Sequence, residues 1–251
     1  MTEASIYHAL LIGWFALAAV TFIALFFITA PYGRHGGRAR GPSVPSRLGW
    51  LIMESPSVLV FVVCYEIGRP GLVAWIFFLL WQLHYVHRAW LFPFRLRAPA
   101  RPMPLYVVGS AFFFTTVNGY LNARWLTALG PGYSRAWLAD PRFLVGVALF
   151  LFGFAVNQHA DRVLFSLRRP GESGYKIPRG GLYRFVSCPN YLGEILEWCG
   201  WALATWSLAG LAFALWTIAN LVPRARAHHR WYRTTFSEYP AERRAVVPFV
   251  Y

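Results

Sequence analysis

Ten carboxylates occur in a chain of 251 residues that is 57% hydrophobic, and four of them, Glu54, Glu66, Glu194 and Glu197, fall inside segments otherwise apolar enough to cross a membrane. A charge at mid-bilayer costs about 2.5 to 3.5 kcal/mol on insertion scales, so each needs a partner or a function. Glu66 stands beside IGRPG at the end of its segment, within reach of Arg69 or water, and reads as structural. The others fall into helical register with further polar groups. Asn190, Glu194 and Glu197 follow i, i+4, i+7, which puts an amide and two carboxylates on one helix face together with Trp198 and Trp201. Asn157, Asp161 and Arg168 make a second stripe at i, i+4, i+11, His228 and Tyr232 a third, and Tyr85 with Arg88 a fourth. Hydrogen bonding between helices would account for any single stripe. Four together are what the lining of a polar cavity requires.

The elements that must hold these stripes are apolar runs separated by short polar loops, the pattern of a polytopic helical membrane protein. A span takes about 20 residues. The runs place spans near 6–30, 50–67, 72–93, 104–122, 143–166, 189–206 and 208–230. The predicted fold is an all-α integral membrane protein of about seven transmembrane helices, a single domain over 1–251 without a separate soluble part. The first run, ALLIGWFALAAVTFIALFFITA, has no basic residue before it and exceeds a signal-peptide core, so it reads as a span. The segments starting at 50 and 189 are short or interrupted by polar groups, which marks them as functional.

A net charge of +14 would suit nucleic acid, but its distribution gives another reason for it. Segments 31–47, 88–101, 162–184 and 224–244 hold 20 of the 24 Lys and Arg, and the alternate connections hold only Arg69, Arg124, Arg135 and Arg142. The positive-inside rule then puts the N-terminus outside and the C-terminus in the cytoplasm. Nucleic acid is not needed as a partner; anionic headgroups or a phosphorylated cofactor suffice.

In this topology Glu54, Tyr85, Asp161, Glu194 and His228 all fall in the cytoplasmic halves of their helices, a bias that independent structural contacts would not produce. A cytoplasmic pocket rimmed by Arg88, Arg101, Arg168, Arg169 and Arg179 suits a phosphorylated cofactor, because guanidinium groups match phosphate in a bidentate way. Gly171, Gly174, Gly180 and Gly181 would let the intervening loop bring its backbone against a ligand. No GxGxxG, Walker A, GxSxG or HExxH pattern occurs. His84 with His87 and His228 with His229 lack a third ligand at usual spacing, so no metal is expected, and Cys64, Cys188 and Cys199 lack CxxC spacing and read as packing residues.

The stretch from Asn157 to Tyr251, with NQHAD, LRRPGE, YKIPRGGLY, NYLGEILEW and AHHRWY in that order and a late Pro, resembles the C-terminal half of the steroid 5α-reductases, the 3-oxo-5α-steroid 4-dehydrogenases. GWLIMESPS (49–57), HYVHRAW (84–90), RPMP (101–104) and NGYLN (118–122) extend the resemblance into the looser N-terminal half. The resemblance implies a seven-helix membrane enzyme that uses NADPH to reduce the Δ4 double bond of a 3-oxo steroid reaching it from the bilayer, acting as a monomer. It assigns 1–130 to the substrate-side helices and 141–251 to the NADPH-binding half. It implies that Glu54 and Tyr85 hold the 3-keto oxygen, with Trp50 and Met53 beside the substrate, Met53 replacing the Gln often found there. It further implies that Arg101, Asn157, Asp161, Arg168, Tyr175, Asn190, Glu194, His228 and Tyr232 line the NADPH site.

The chemistry makes independent sense. Hydride addition to the β-carbon of an enone builds negative charge on the carbonyl oxygen, and preorganised donors there are usually the largest catalytic contribution. Tyr85 is such a donor, and Glu54 is another when it carries its proton. A trans-2-enoyl-CoA reductase would share the hydride chemistry on a thioester, but the presence of both Glu54 and Tyr85 favours a ketone. An isoprenylcysteine-type methyltransferase shares a PNYLGE-like segment but not the RRPGE and YKIPRGG loop. A non-enzymatic sterol or lipid binder would have no need of an arginine-rimmed cytoplasmic pocket.

Overall fold

The structure, a computed structural model, describes residues 1–29, 41–96, 102–167, 172 and 174–251. Its helices are α1 (Glu3–Phe27), α2 (Ser46–Gly68), α3 (Leu72–Val86), the short α4 (Phe92–Arg95), α5 (Leu105–Arg124), α6 (Pro141–Ser166), α7 (Pro189–Thr205) and α8 (Leu208–Thr235). A two-residue antiparallel ladder joins β1 (Ser43–Val44) to β2 (Met103–Pro104). Helices α1, α2, α6 and α8 are long and apolar enough to cross a membrane. The remaining helices fall below that measure. Helix α3 has 15 residues and α7 has 17, while α5 reaches 20 residues but carries Thr115, Thr116, Asn118 and Asn122. Each predicted span overlaps a helix, though among the described residues only four of these helices meet the measure for crossing a membrane, and the third is divided: α3 passes through a π-helical turn, His87–Leu91, into α4, where Pro93 lacks the N–H that would continue an α-helical ladder.

The chain forms two compact units. One comprises Met1–Ile12, Pro31–Leu144 and Ser207–Ala209. In it, α2 and α3 lie antiparallel: Tyr65 donates from its hydroxyl to the Ala74 carbonyl (2.8 Å), and Trp81 Nε1 donates to the Ser57 carbonyl (2.8 Å). Phe61 stacks on Trp81 at 4.3 Å. Helix α2 ends where Arg69 takes the left-handed conformation and its N–H closes on the Tyr65 carbonyl. Helix α5 packs on α2 through Gly119 against Ser57 and Val60, and Thr115 Oγ1 donates to the Met53 carbonyl (2.7 Å). Tyr120 and Arg124 both donate to the Glu3 carboxylate, so the first turn of α1 is fixed to the end of α5.

The other unit comprises Gly13–Ala30, Val145–Trp206 and Gly210–Tyr251. Lipid tails are as apolar as leucine, so membrane helices associate by close packing of small residues rather than by escape from water. Helices α6 and α7 follow that rule. A Cβ at Gly146, Gly153, Gly193 or Gly200 would come to 2.4 Å from the backbone nitrogen of Ala204, Glu197, Asn157 or Phe150, respectively. No side chain fits there, and the two backbones touch along two glycine pairs, each spaced seven residues apart. Trp216 of α8 donates from Nε1 to the Trp14 carbonyl of α1 (3.0 Å). The C-terminal segment crosses back beneath α7: Ser187 N–H donates to the Arg244 carbonyl (2.8 Å), Arg244 N–H to the Phe185 carbonyl (2.9 Å), and Cys188 N–H to the Ala245 carbonyl (3.1 Å).

Candidate active site

The glycine seam between α6 and α7 continues into a polar cluster. Asn157, four residues beyond Gly153, donates from Nδ2 to the Asn190 backbone carbonyl at 3.0 Å. Asn190 donates from Nδ2 to Asp161 Oδ1 at 3.2 Å, and Gln158 Nε2 lies 3.5 Å from Asn157 Oδ1. Asn157 and Asp161 are each 5% exposed. Pro189 opens α7 at a position where its missing N–H is not needed. The adjacent Tyr191 turns to α8 instead. Arg224 Nε donates to its hydroxyl at 3.0 Å, and the same hydroxyl lies 3.0 Å from His228 Nε2. Arginine can only donate, so the tyrosine hydroxyl accepts from Arg224. The first turn of α7 therefore gathers groups from α6 and α8 in one place.

The loop before α7 is held as firmly. Ser187 Oγ is 2.6 Å from His229 Nδ1 and 2.7 Å from the Tyr239 hydroxyl, and it donates to the Arg244 carbonyl at 3.1 Å. Tyr183 donates to the Ala160 carbonyl (3.4 Å), and burial, aided by the nearby Asp161, pushes its phenol well above the ordinary value.

The other residues predicted for this site take varied positions. Tyr232 is 2% exposed and stacks on Tyr239 at 5.1 Å. Tyr175 is 40% exposed, edge-on to Trp231 at 5.0 Å. Glu194 is half-buried, and Glu197 is fully buried behind Gly153. Arg101 and Arg168, with Arg169, lie outside the described residues.

In the first unit the register of α2 against α3 fixes the level of Glu54 and Tyr85. Ser57 faces Trp81 on one side of that level. On the other, the Arg88 guanidinium sits over the Trp50 ring at 4.5 Å and over Phe92 at 4.7 Å. Glu54 lies one turn from Trp50 and Tyr85 one turn from Trp81. The two residues thus occupy matching levels of adjacent antiparallel helices. Tyr85 is 4% exposed with its ring 4.8 Å from that of Trp81, and Glu54 is half-buried. Met53 is 6% exposed and packs with Met103 and Val108, and Trp50 packs against the same cluster.

Sequence reasoning missed Tyr191, Arg224, Ser187 and Tyr239 as parts of this architecture. Tyr191 and Arg224 belong to no single-helix stripe, and Ser187 and Tyr239 are joined across 52 residues. The seam had a readable signal in the seven-residue glycine spacing within each helix.

Amides, a carboxylate and an imidazole gathered on helices of which α6 and α8 are apolar enough for a bilayer fit the class of membrane-embedded enzymes. Residues 101–251 match the family described as 3-oxo-5-alpha-steroid 4-dehydrogenase. The chain is 44% identical over 241 residues to 3-oxo-5-alpha-steroid 4-dehydrogenase 1 of Bos taurus, covering 94% of this chain and 93% of that protein. It is 42% identical over 256 residues to steroid 5-alpha-reductase DET2 of Gossypium hirsutum, covering 100% and 99%, and 43% identical over 227 residues to the Homo sapiens 3-oxo-5-alpha-steroid 4-dehydrogenase 1, covering 88% and 86%. The chain belongs to the 3-oxo-5-alpha-steroid 4-dehydrogenase family and is an oxidoreductase.

The α6–α8 donor set is chemically able to hold a nicotinamide nucleotide. Asp161 offers acceptors to ribose hydroxyls, Asn157 and Asn190 offer both donors and acceptors, and Arg224 offers a guanidinium suited to phosphate. Among the described residues no group of three His, Cys, Asp or Glu is arranged to hold a metal ion.

Proposed function

We propose that this enzyme reduces the Δ4 double bond of 3-oxo-Δ4 steroids to 5α-reduced 3-oxo steroids, with NADPH as reductant. The observation that carries the reading is the pairing of Glu54 with Tyr85 at one level of the α2–α3 hairpin, bracketed by Ser57 with Trp81 and Trp50 with Arg88. Two possible donors at one level of adjacent helices suit a carbonyl oxygen that gains negative charge. NADPH, when bound, supplies the hydride for C5. Tyr85 and Glu54 donate to the 3-keto oxygen and stabilise it as an enolate, which takes a proton at C4 to restore the ketone, and Trp50 and Met53 shape the pocket around the steroid. Asn157, Asp161, Asn190, Glu194, His228, Tyr232 and Tyr175 hold the nucleotide, joined by Arg101 and Arg168.

The protein crosses the membrane about seven times with its N-terminus outside, its C-terminus and nucleotide site cytoplasmic, and its steroid arriving from the bilayer to a monomer. The names of its relatives support the substrate class, and the charge distribution supports the orientation. Membranes containing the protein, incubated with NADPH and a panel of 3-oxo-Δ4 steroids and enoyl-CoA thioesters, should yield steroid products heavier by two hydrogens and no reduced thioester. Thioester reduction without steroid reduction would replace this reading with an enoyl reductase.

A further inference from the structure

A cavity of about 410 Å³ lies between α6 and the loop before α7, on the α6 face opposite Asn157 and Asp161. That volume is in the range of roughly 300 to 1,000 Å³ typical of sites for organic ligands. Along α6 its wall begins apolar, with Phe152, Ala155 and Val156, and ends at His159; Leu182, Arg184 and Phe185 line it from the loop. Arg162 follows His159 by one turn on the same helix face. Phe152 and His159 are seven residues apart, roughly 10 Å along the helix at 1.5 Å per residue.

The loop closes the polar end by backbone contact. Gly180 and Gly181 both take positive φ, and a Cβ at Gly181 would lie 2.6 Å from His159 Nε2. Among the described residues neither Arg162 nor Arg184 is ion-paired with an acid, unlike Arg124 with Glu3, Arg142 with Asp140 and Lys176 with Glu172. Both arginines are exposed.

We propose that this groove binds an anionic phospholipid, with one acyl chain against Phe152, Ala155 and Val156 and the phosphate held by Arg162, Arg184 and His159. The apolar end needs an occupant with a hydrocarbon chain, and on the surface of a membrane-crossing helix that occupant is a lipid. The two unneutralised guanidinium groups where the apolar wall stops select a negative headgroup over a zwitterionic one. An acidic peptide or nucleic acid would leave the apolar end empty. The site shares no residue with the proposed nucleotide or carbonyl sites, so its test does not depend on turnover.

The full chain, purified in detergent and delipidated, would be titrated with palmitoyl-oleoyl phosphatidylglycerol and, separately, with the phosphatidylcholine of the same chains, and the retained lipid read by native mass spectrometry. Phosphatidylglycerol should be retained at least ten-fold more strongly, and excess inorganic phosphate should not displace it. Arg162→Gln combined with Arg184→Gln should bring its retention down to the phosphatidylcholine level. Ala155→Trp, which fills the apolar end, should abolish retention of both; should that variant fold poorly, the glutamine pair decides. Equal retention of the two lipids by the unaltered protein, phosphatidylglycerol retention unchanged in the glutamine pair, or displacement by phosphate would each overturn the proposal.

Discussion

Tyr85 and Glu54 carry the chemistry proposed at the carbonyl, and they can be separated by substitution. A donor whose hydrogen bond strengthens in the transition state affects turnover more than ground-state binding. Tyr85→Phe removes one such donor and should lower kcat by roughly 100- to 1000-fold, about 2.7 to 4 kcal/mol, with nucleotide affinity little changed. Glu54→Gln keeps a donor. A mild loss there would assign Glu54 a hydrogen-bonding role, and a severe one would assign it a role in proton supply. If both variants lose thermal stability while each folded molecule turns over normally, the pair only holds α2 to α3. At the second site, Asn190 bridges Asp161 and Asn157. Asn190→Ala should weaken NADPH binding in a protein that still folds, measured by fluorescence titration; unchanged affinity would remove Asn190 from the nucleotide site.

Helices α6 and α7 can bring those residues together only because four glycines let their backbones meet. Adding one methyl group at Gly193 would force it against the Asn157 backbone at 2.4 Å. Overpacking of this kind typically costs about 1 to 3 kcal/mol, so Gly193→Ala should lower the Tm in detergent and reduce NADPH affinity together, since the shifted backbone carries Asn157. Gly109→Ala in α5 meets no heavy atom within 4 Å and serves as the control, expected to leave both unchanged. Equal Tm values for the two variants would show that the seam yields more easily than its geometry implies. At the start of α6, Asp140 accepts from the Arg142 N–H at 2.8 Å, and the Arg142 guanidinium holds the Asp140 carboxyl down at about 2. The lowered value means that this cap is intact above the ordinary carboxylate range and is lost as pH falls through about 2. It therefore contributes no pH dependence near neutrality.

For the whole molecule, the separation of 20 basic residues from 4 across alternate connections is the basis of the proposed orientation, since Lys and Arg resist translocation. Arg179 is exposed in the loop before α7. In a background lacking Cys64, Cys188 and Cys199, Arg179→Cys should react with a membrane-impermeant maleimide only after the cytoplasmic side is opened. Labelling from outside intact cells would invert the topology and with it the route of the cofactor. The division of the chain into two compact units assigns Glu54 and Tyr85 to one and the Asn157, Asp161, Asn190 and His228 groups to the other. A variant in either set therefore tests the proposed carbonyl site or the proposed nucleotide site by itself.

The sequence by itself determined the helices and the polar stripes, because both depend on local periodicity: apolar runs set helix length, and spacings of three, four and seven set which residues share a face. Asn157 with Asp161 and Asn190 with Glu194 were legible for that reason. Periodicity cannot say which faces meet. That Asn190 reaches Asp161 while its neighbour Tyr191 reaches Arg224 and His228 was decided by the glycine seam and by the packing of α8. That Met53, one residue from Glu54, faces Met103 was decided by α5, whose Thr115 takes the Met53 carbonyl. Ser187, His229, Tyr239 and Arg244 form one hydrogen-bonded knot only in the folded chain, because nothing in a local pattern records contacts made by a segment that returns more than fifty residues later.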